Sequence, residues 1–420
     1  NEKIPKKAIV IGAGIAGLSV AIRLQNEGFQ VAVFESNEYP GGKLTDLSKE
    51  GYRFDMGPSL FTMPQFVEEL FTVSKKNIKD YFSYKKKETV CHYFYKDGTS
   101  FKALSDVHKF ATSAAKTFDV DEDELVNYFQ KSKKKYELTS SLFLEKSLHK
   151  LSTYFSKDTL TAVFNVNSLD INTTLHDYNA DCFKDSRLVQ LFDRYATYNG
   201  SSPYQTPGIM SMIPHLEQYY GTFFPKGGMH SITQSIYKLA IDLGVEFNFN
   251  SKVDKIHVLD KKAIGISTNT KDYFAEYVIS NSDVVPTYRT LLKDQKSPEK
   301  TLQQPRSSSA LIFYWGIKKE FPSLDLHNIF FSDDYKQEFD HIFSKQEVYE
   351  DPTVYVNISS KENKSDAPKG CENWFVMVNV PSNTGQDWDT IIKNVRAGVI
   401  KKISDSLNIY LEDLIEFETI

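Results

Sequence analysis

The chain has 420 residues, enough for two domains with sizeable cores, and a formal net charge of −5, so no global basic field exists and nucleic-acid binding is not expected. Its three cysteines, Cys91, Cys182 and Cys371, are scattered and lack metal-ligand spacing, which fits a reducing compartment and no metal site. No run of about 18 apolar residues occurs, and the first apolar run begins a glycine-rich turn, so neither a spanning helix nor a signal peptide is expected.

Residues 8–43 read AIVIGAGIAGLSVAIRLQNEGFQVAVFESNEYPGGK. The pattern predicts a buried strand at 8–11, then Gly12, Gly14 and Gly17 spaced as G-x-G-x-x-G. A helix follows, with Ile15, Leu18, Ile22 and Leu24 as its apolar stripe and Gly28 closing it, and a second strand at 31–34 ends on Glu35. Gly12 permits the turn out of the strand, Gly14 lets the backbone approach a pyrophosphate, and Gly17 lets the helix lie close to the sheet. The helix N-terminus offers free N–H groups and the positive end of its dipole to phosphates. Glu35, 23 residues after Gly12, stands where a carboxylate accepts ribose hydroxyls, and its charge disfavours a 2′-phosphate. These residues leave NAD and FAD both open.

Further along, Asp55-Met56-Gly57-Pro58 is a turn signature, and a helix is predicted over 64–73. Lys75, Lys76 and Lys79, then Lys85, Lys86 and Lys87, are interleaved with Tyr81, Phe82 and Tyr84. That stretch reads either as a solvated face or as a surface for anionic lipid with rings at the interface. Segments 90–94 and 100–101 flank Asp97-Gly98 as a hairpin. A helix is predicted over 105–136, acidic at 119–124 and basic at 131–135. Residues 138–164 continue in helical style, as a cap helix packed on core or as an interfacial membrane helix.

Residues 188–208 place Arg194, Tyr195, Tyr198 and Tyr204 around a Pro-punctuated loop, the tyrosines either filling core or lining a channel. A turn at 225–229 leads to a helix at 231–243, strands at 245–249 and 252–256, a hairpin of 264–268 with 272–274, and a buried strand at 277–281. Apolar strands at 310–317, 327–331, 353–357 and 374–380 follow, then a helix over 387–407. His327 reads as a core or loop residue.

The run G-x-G-x-x-G-L-x-x-A-x-x-L-x-x-x-G-x-x-V-x-V-x-E-x(5)-G-G-[RK], ending on Gly41, Gly42 and Lys43, resembles the FAD-binding end of the flavin amine oxidase superfamily. The tail favours FAD over NAD, because two glycines and a cation let a loop pass close to a second anionic segment of a long cofactor. The segment G-x-x-F-D-x-G-P at 51–58, and R-Y-x-x-Y-x-G-S-S-P-Y-x-x-P from Arg194 onward, are similar to those of bacterial carotenoid desaturases of the phytoene desaturase type. The sequence around 41–64 looks most like the branch acting on hydroxylated carotenoids.

The resemblance implies an α/β and α+β fold: a Rossmann-like FAD-binding domain, discontinuous in sequence, with a mixed-sheet substrate domain and a helical cap. The boundaries expected are 1–73 and 223–290 for the FAD-binding domain, 74–222 for the cap and membrane-facing part, and 291–420 for the substrate sheet. It implies FAD held by Gly12, Gly14, Gly17, Glu35, Gly41, Gly42 and Lys43, with the backbone of Val253 meeting the adenine. It places Arg194, Tyr195, Tyr198 and Tyr204 along a substrate channel and names no catalytic acid or base. A further glycine-rich flavin segment, usual in such proteins, is expected beyond Ile420 and is not found within the chain.

The implied activity is removal of two hydrogens from a C–C bond of a long acyclic carotenoid, with quinone or oxygen as the final electron acceptor. Such a substrate resides in lipid, so peripheral attachment at the cytoplasmic face of the membrane is expected. The alternatives are another FAD-dependent oxidase of the superfamily, such as an amine or porphyrinogen oxidase, and a non-enzymatic carrier of isoprenoid lipids. A carrier has no use for the ribose carboxylate Glu35, and a plain NAD dehydrogenase has none for the 41–43 tail.

Overall fold

The computed structural model describes residues 5–143 and 169–420, so most of the helical stretch expected over 138–164 lies outside the described residues. The chain divides into two compact units. One comprises the residues up to 49 with 53–85 and 223–305, and the other comprises 50–52, 86–222 and 306–420.

The first unit is built on a four-stranded sheet in the order Tyr277–Ser280, Lys7–Ile11, Gln30–Phe34, Glu246–Asn248, all neighbours parallel. Parallel strands buried on both faces need unbroken apolar runs, which is what AIVI and VAVF supply. On one face Ala8, Val10, Val31 and Val33 pack with Leu18 and Ile22 of the helix Ile15–Asn26 and with Ile232, Ile236 and Leu239 of the helix His230–Asp242. On the other, Ile9, Ile11 and Phe34 pack with Val253, Ile256 and Ile266. Those three belong to an antiparallel meander of Val253–Leu259, Lys262–Thr268 and Asp272–Phe274, one strand larger than the expected hairpin.

The second unit centres on a seven-stranded mixed sheet. Its order is Ile415–Thr419, Ser309–Ile317, Glu372–Val380, Val354–Asn357, His327–Phe330, Thr89–Phe94, Ser100–Leu104. One face, with Phe313, Trp315, Trp374, Val376 and Val356, is covered by Val395, Val399 and Ile403 of the helix Trp388–Leu407. The opposite face, with Cys91, Tyr93 and Ile329, packs with Phe110, Leu125, Tyr128, Leu188 and Phe192 from the helices of residues 107–193.

Two expectations need correction. The helix anticipated over 105–136 is two helices, Val107–Phe118 and Glu122–Phe143. Asp119 turns left-handed at φ 50° and its N–H closes the first helix on the Ala115 carbonyl. The acidic cluster therefore opens the second helix, with Glu122, Asp123 and Glu124 at its positive end. The rings among the lysines do not face outward either. Phe82 is buried, Tyr81 and Tyr84 are half-buried, and all three pack within the first unit, where Tyr81 donates to Asp242 at 2.6 Å and Tyr84 to Glu68. Lys75, Lys76 and Lys79 remain exposed. Among the described residues no helix is long and apolar enough to cross a membrane.

His92, His215 and His327 are buried in the second unit, and burial pushes each pKa down from 6.5 to about 4. Unfolded, these rings bind protons at higher pH than they do in the folded protein, so stability present above 6.5 is lost as the pH falls towards about 4. His327 alone accounts for up to about 3 kcal/mol of that loss. Denaturant midpoints measured across this range should fall, and the fall should be shallower in His215→Gln. Parallel curves would rule that ring out as a contributor.

Candidate functional site

The glycine turn is held by backbone and by one carboxylate. The Gly12 N–H donates to the Phe34 carbonyl at 2.8 Å, continuing the strand pair past its end. Glu35, buried at the end of its strand, accepts the Ala13 N–H on Oε2 at 2.8 Å, and on Oε1 the Asn37 N–H at 2.9 Å and the Ser36 hydroxyl at 3.1 Å. Oε2, with one donor here, keeps acceptor capacity for a hydroxyl. Gly17 cannot carry a side chain, because a Cβ there would lie 2.1 Å from the Gly12 carbonyl oxygen. The helix it belongs to starts on Gly14, with no side-chain cap and no acidic residue in its first turn. A helix of 12 residues with an uncapped, carboxylate-free N-terminus is electrostatically suited to an anion.

The 41–43 tail is brought to the same turn. The Gly41 N–H donates to the Ala13 carbonyl at 2.8 Å, and Gly41 bridges to Gly14. At φ 113°, with a Cβ calculated to fall 2.5 Å from the Leu44 carbonyl oxygen and 2.7 Å from Thr233 Cγ2, position 41 admits only glycine. Lys43 is exposed. Val253 is buried at the start of its strand, two residues after Ser251, whose N–H donates to the Glu35 carbonyl at 2.8 Å. The structure therefore gathers Gly12, Gly14, Gly17, Glu35, Gly41 and Gly42 around one turn, with the Val253 strand starting beside Glu35.

Two residues not singled out in the sequence belong to this assembly. Asn281, at the end of the strand beside Lys7–Ile11, lies over the glycines, its Nδ2 2.9 Å from where a Cβ on Gly14 or Gly17 would stand. Its signal was its place, a polar residue directly after an apolar parallel strand. Asp55, read as part of a turn, is buried and accepts the Met229 and His230 N–H groups at 2.8 and 2.9 Å. It thereby caps the helix His230–Asp242, and Arg53 holds its Oδ1 at 2.6 Å. The bare helix start, the side-chain-free glycines and the strand-end carboxylate together fit the pyrophosphate and ribose of FAD.

In the second unit Arg194, Tyr195 and Tyr198 converge on Glu217, which sits in a single π-helical turn, Leu216–Tyr220. Arg194 Nη2 is 2.9 Å from Glu217 Oε2, Tyr195 donates to the same oxygen at 2.7 Å, and Tyr198 bonds Oε1. Arg194 Nε also donates to the Tyr93 hydroxyl at 2.6 Å. Burial works most strongly against the Arg194 charge, but Glu217 together with Tyr93, Tyr195 and Tyr198 outweighs it and holds the guanidinium pKa well above its usual value. Tyr204 lies apart, its ring 4.6 Å from that of His176, which is paired with Asp193 at 2.7 Å. The sequence offered no sign of Glu217 as the hub, because its partners are about twenty positions away.

Two outcomes follow. Gly17→Ala forces the helix away from the turn, and an overpacking cost of about 1–3 kcal/mol corresponds to roughly 5- to 150-fold weaker cofactor binding. The flavin-to-protein absorbance ratio of the purified variant measures it, and a ratio equal to wild type would contradict the geometry. Glu217→Ala strands a buried guanidinium and should lower unfolding free energy by about 3–5 kcal/mol, read from urea midpoints.

The model of the family described as flavin containing amine oxidoreductase matches residues 15–316. Over 413 residues, 98% of this chain and 84% of the relative, the chain is 56% identical to a 1-hydroxycarotenoid 3,4-desaturase of Flavobacterium sp. (strain P99-3). It is 32% identical to a 4,4'-diapolycopene oxygenase of Methylomonas sp., over 91% of this chain and 77% of the relative. Among solved structures, an oxidoreductase from Methanosarcina mazei shares the fold with a TM-score of 0.64 at 17% identity, covering 95% of this chain and 84% of that one. The chain belongs to the flavin containing amine oxidoreductase family.

Proposed function

We propose that this protein is an FAD-dependent desaturase that introduces C=C bonds into a long acyclic carotenoid. The observation that carries the reading is 56% identity, over 98% of the chain, to a 1-hydroxycarotenoid 3,4-desaturase. When bound, FAD supplies a hydride acceptor for C–H oxidation. The chain's own part is binding and exclusion of water. The helix start at Gly14 receives the pyrophosphate, Glu35 accepts the ribose hydroxyls, Gly41 and Gly42 let the loop pass close to the cofactor, and the Val253 backbone meets the adenine. Lys43 adds a positive charge beside the anionic cofactor.

Arg194 and the rings of Tyr195 and Tyr198 support a substrate channel, fixed on Glu217 rather than left free to collapse, and Tyr204, apart from them beside His176, contributes a further ring. The hydrocarbon substrate partitions into lipid, so the enzyme docks peripherally on the membrane, with Lys75, Lys76 and Lys79 as exposed cations for anionic headgroups. A quinone or oxygen would serve as the final electron acceptor.

The test is anaerobic mixing of purified holoprotein with liposomes that carry an acyclic carotenoid. Flavin absorbance should bleach while the carotenoid band moves to longer wavelength as conjugation extends. Oxidised flavin that ignores the carotenoid but bleaches with an amine would replace this reading with that of an amine oxidase.

A further inference from the structure

The face of the seven-stranded sheet opposite the helix Trp388–Leu407 carries a row of rings. Register sets His327 opposite Asn357, Asn357 opposite Phe375, and Phe375 opposite Tyr314, with Tyr355 two places along the same face. Ring centroids step from Tyr314 to Phe375 at 5.6 Å, to Tyr355 at 6.2 Å and to His327 at 6.0 Å. Tyr355 is only half-buried, whereas His327, at the end of the row, is 3% exposed.

The hydrogen bonds around His327 determine which ring nitrogen carries the proton. Nδ1 lies 2.7 Å from the Tyr355 hydroxyl and 3.3 Å from Asn357 Nδ2. The same Asn357 nitrogen donates to the Leu326 carbonyl at 3.2 Å, so the amide presents N–H, not oxygen, to the imidazole. A ring nitrogen that receives N–H and O–H donors is the bare one, and the hydrogen therefore sits on Nε2. Burial keeps the imidazole neutral, with its pKa pushed down to about 4. Nε2 is buried and, among the described residues, meets no acceptor. The result is a single N–H donor, fixed in direction by two neighbours, at the end of an aromatic row. Leaving such a donor unmet carries a desolvation cost, which a hydrocarbon cannot relieve and an oxygen atom can.

We infer that His327 is the specificity-determining residue for an oxygenated polyene, its Nε2–H donating to a hydroxyl oxygen on an otherwise hydrocarbon substrate. This rests on the desaturase reading and adds to it the group that tells a hydroxylated carotenoid from its parent. Tyr355 is the positioning residue, because its O–H holds the tautomer.

The experiment compares kcat/KM of the holoenzyme for a hydroxylated acyclic carotenoid and for the same polyene without the hydroxyl, both in liposomes of phosphatidylcholine with anionic phosphatidylglycerol. Wild type should prefer the hydroxylated polyene by about 10- to 100-fold. His327→Leu should lose that preference while turnover of the parent hydrocarbon stays within about 3-fold, and His327→Gln, which retains an N–H donor, should recover part of it. Tyr355→Phe should give a smaller loss, again confined to the hydroxylated substrate. Equal turnover of the two polyenes by wild type, or a loss shared equally by both substrates in the variants, would overturn the assignment. If flavin stayed oxidised with either polyene, the desaturase reading itself would fall and this inference with it, a result distinct from turnover without discrimination.

Discussion

One carboxylate joins the pieces of the first unit. Asp55 stands in the early part of the chain, and the N–H groups it accepts belong to Met229 and His230, 174 and 175 positions further on. A helix start needs its first donors satisfied, and a charged acceptor there also complements the dipole. Because the donors and the acceptor come from different chain segments, the bond is both a cap and a clasp. Everything downstream in that unit depends on it: the helix His230–Asp242 presents Thr233 to the Leu44 carbonyl, and Leu44 follows the Gly41 turn that meets Gly14.

The second unit answers a different constraint. Its interior must hold charge next to apolar surface. Arg194 and Glu217 are both buried, and the Coulomb gain between them offsets desolvation only because three tyrosine hydroxyls take up remaining donors and acceptors. An exposed pair such as Lys96 with Asp333, screened by water, contributes far less. Arg194, Tyr195 and Tyr198 are thus anchored by polar contacts rather than by packing alone.

The parallel sheet was legible because its strands are buried on both faces and read as unbroken apolar runs, and the glycine spacing was legible because each glycine answers a local demand. The final strand Ile415–Thr419 was not, since IEFET has little apolar content and is drawn into the sheet by pairing with Ser309–Ile317, a partner about a hundred residues away. The split at Asp119 was hidden because a single left-handed residue leaves helical composition on both sides intact. Within the site, the glycines and Glu35 could be named from sequence, whereas Asn281, Asp55 and Glu217 act through partners that only tertiary structure supplies. Nor could composition show that Phe82 is buried and that Tyr81 and Tyr84 pack within the first unit, because it does not tell which way a ring points.

The strand order of the parallel sheet has a consequence for how the protein is made. Lys7–Ile11 is an interior strand, yet one of its two neighbours, Tyr277–Ser280, is synthesised roughly 270 residues later. At about 5–20 residues per second, that strand edge waits on the order of 15–50 s on a translating ribosome. The other neighbour, Gln30–Phe34, forms early with the glycine turn, so a nascent chain exposes an apolar half-sheet with an open edge. The glycine turn is complete only once Asn281 has arrived, so the early strand pair keeps an open edge until late in synthesis.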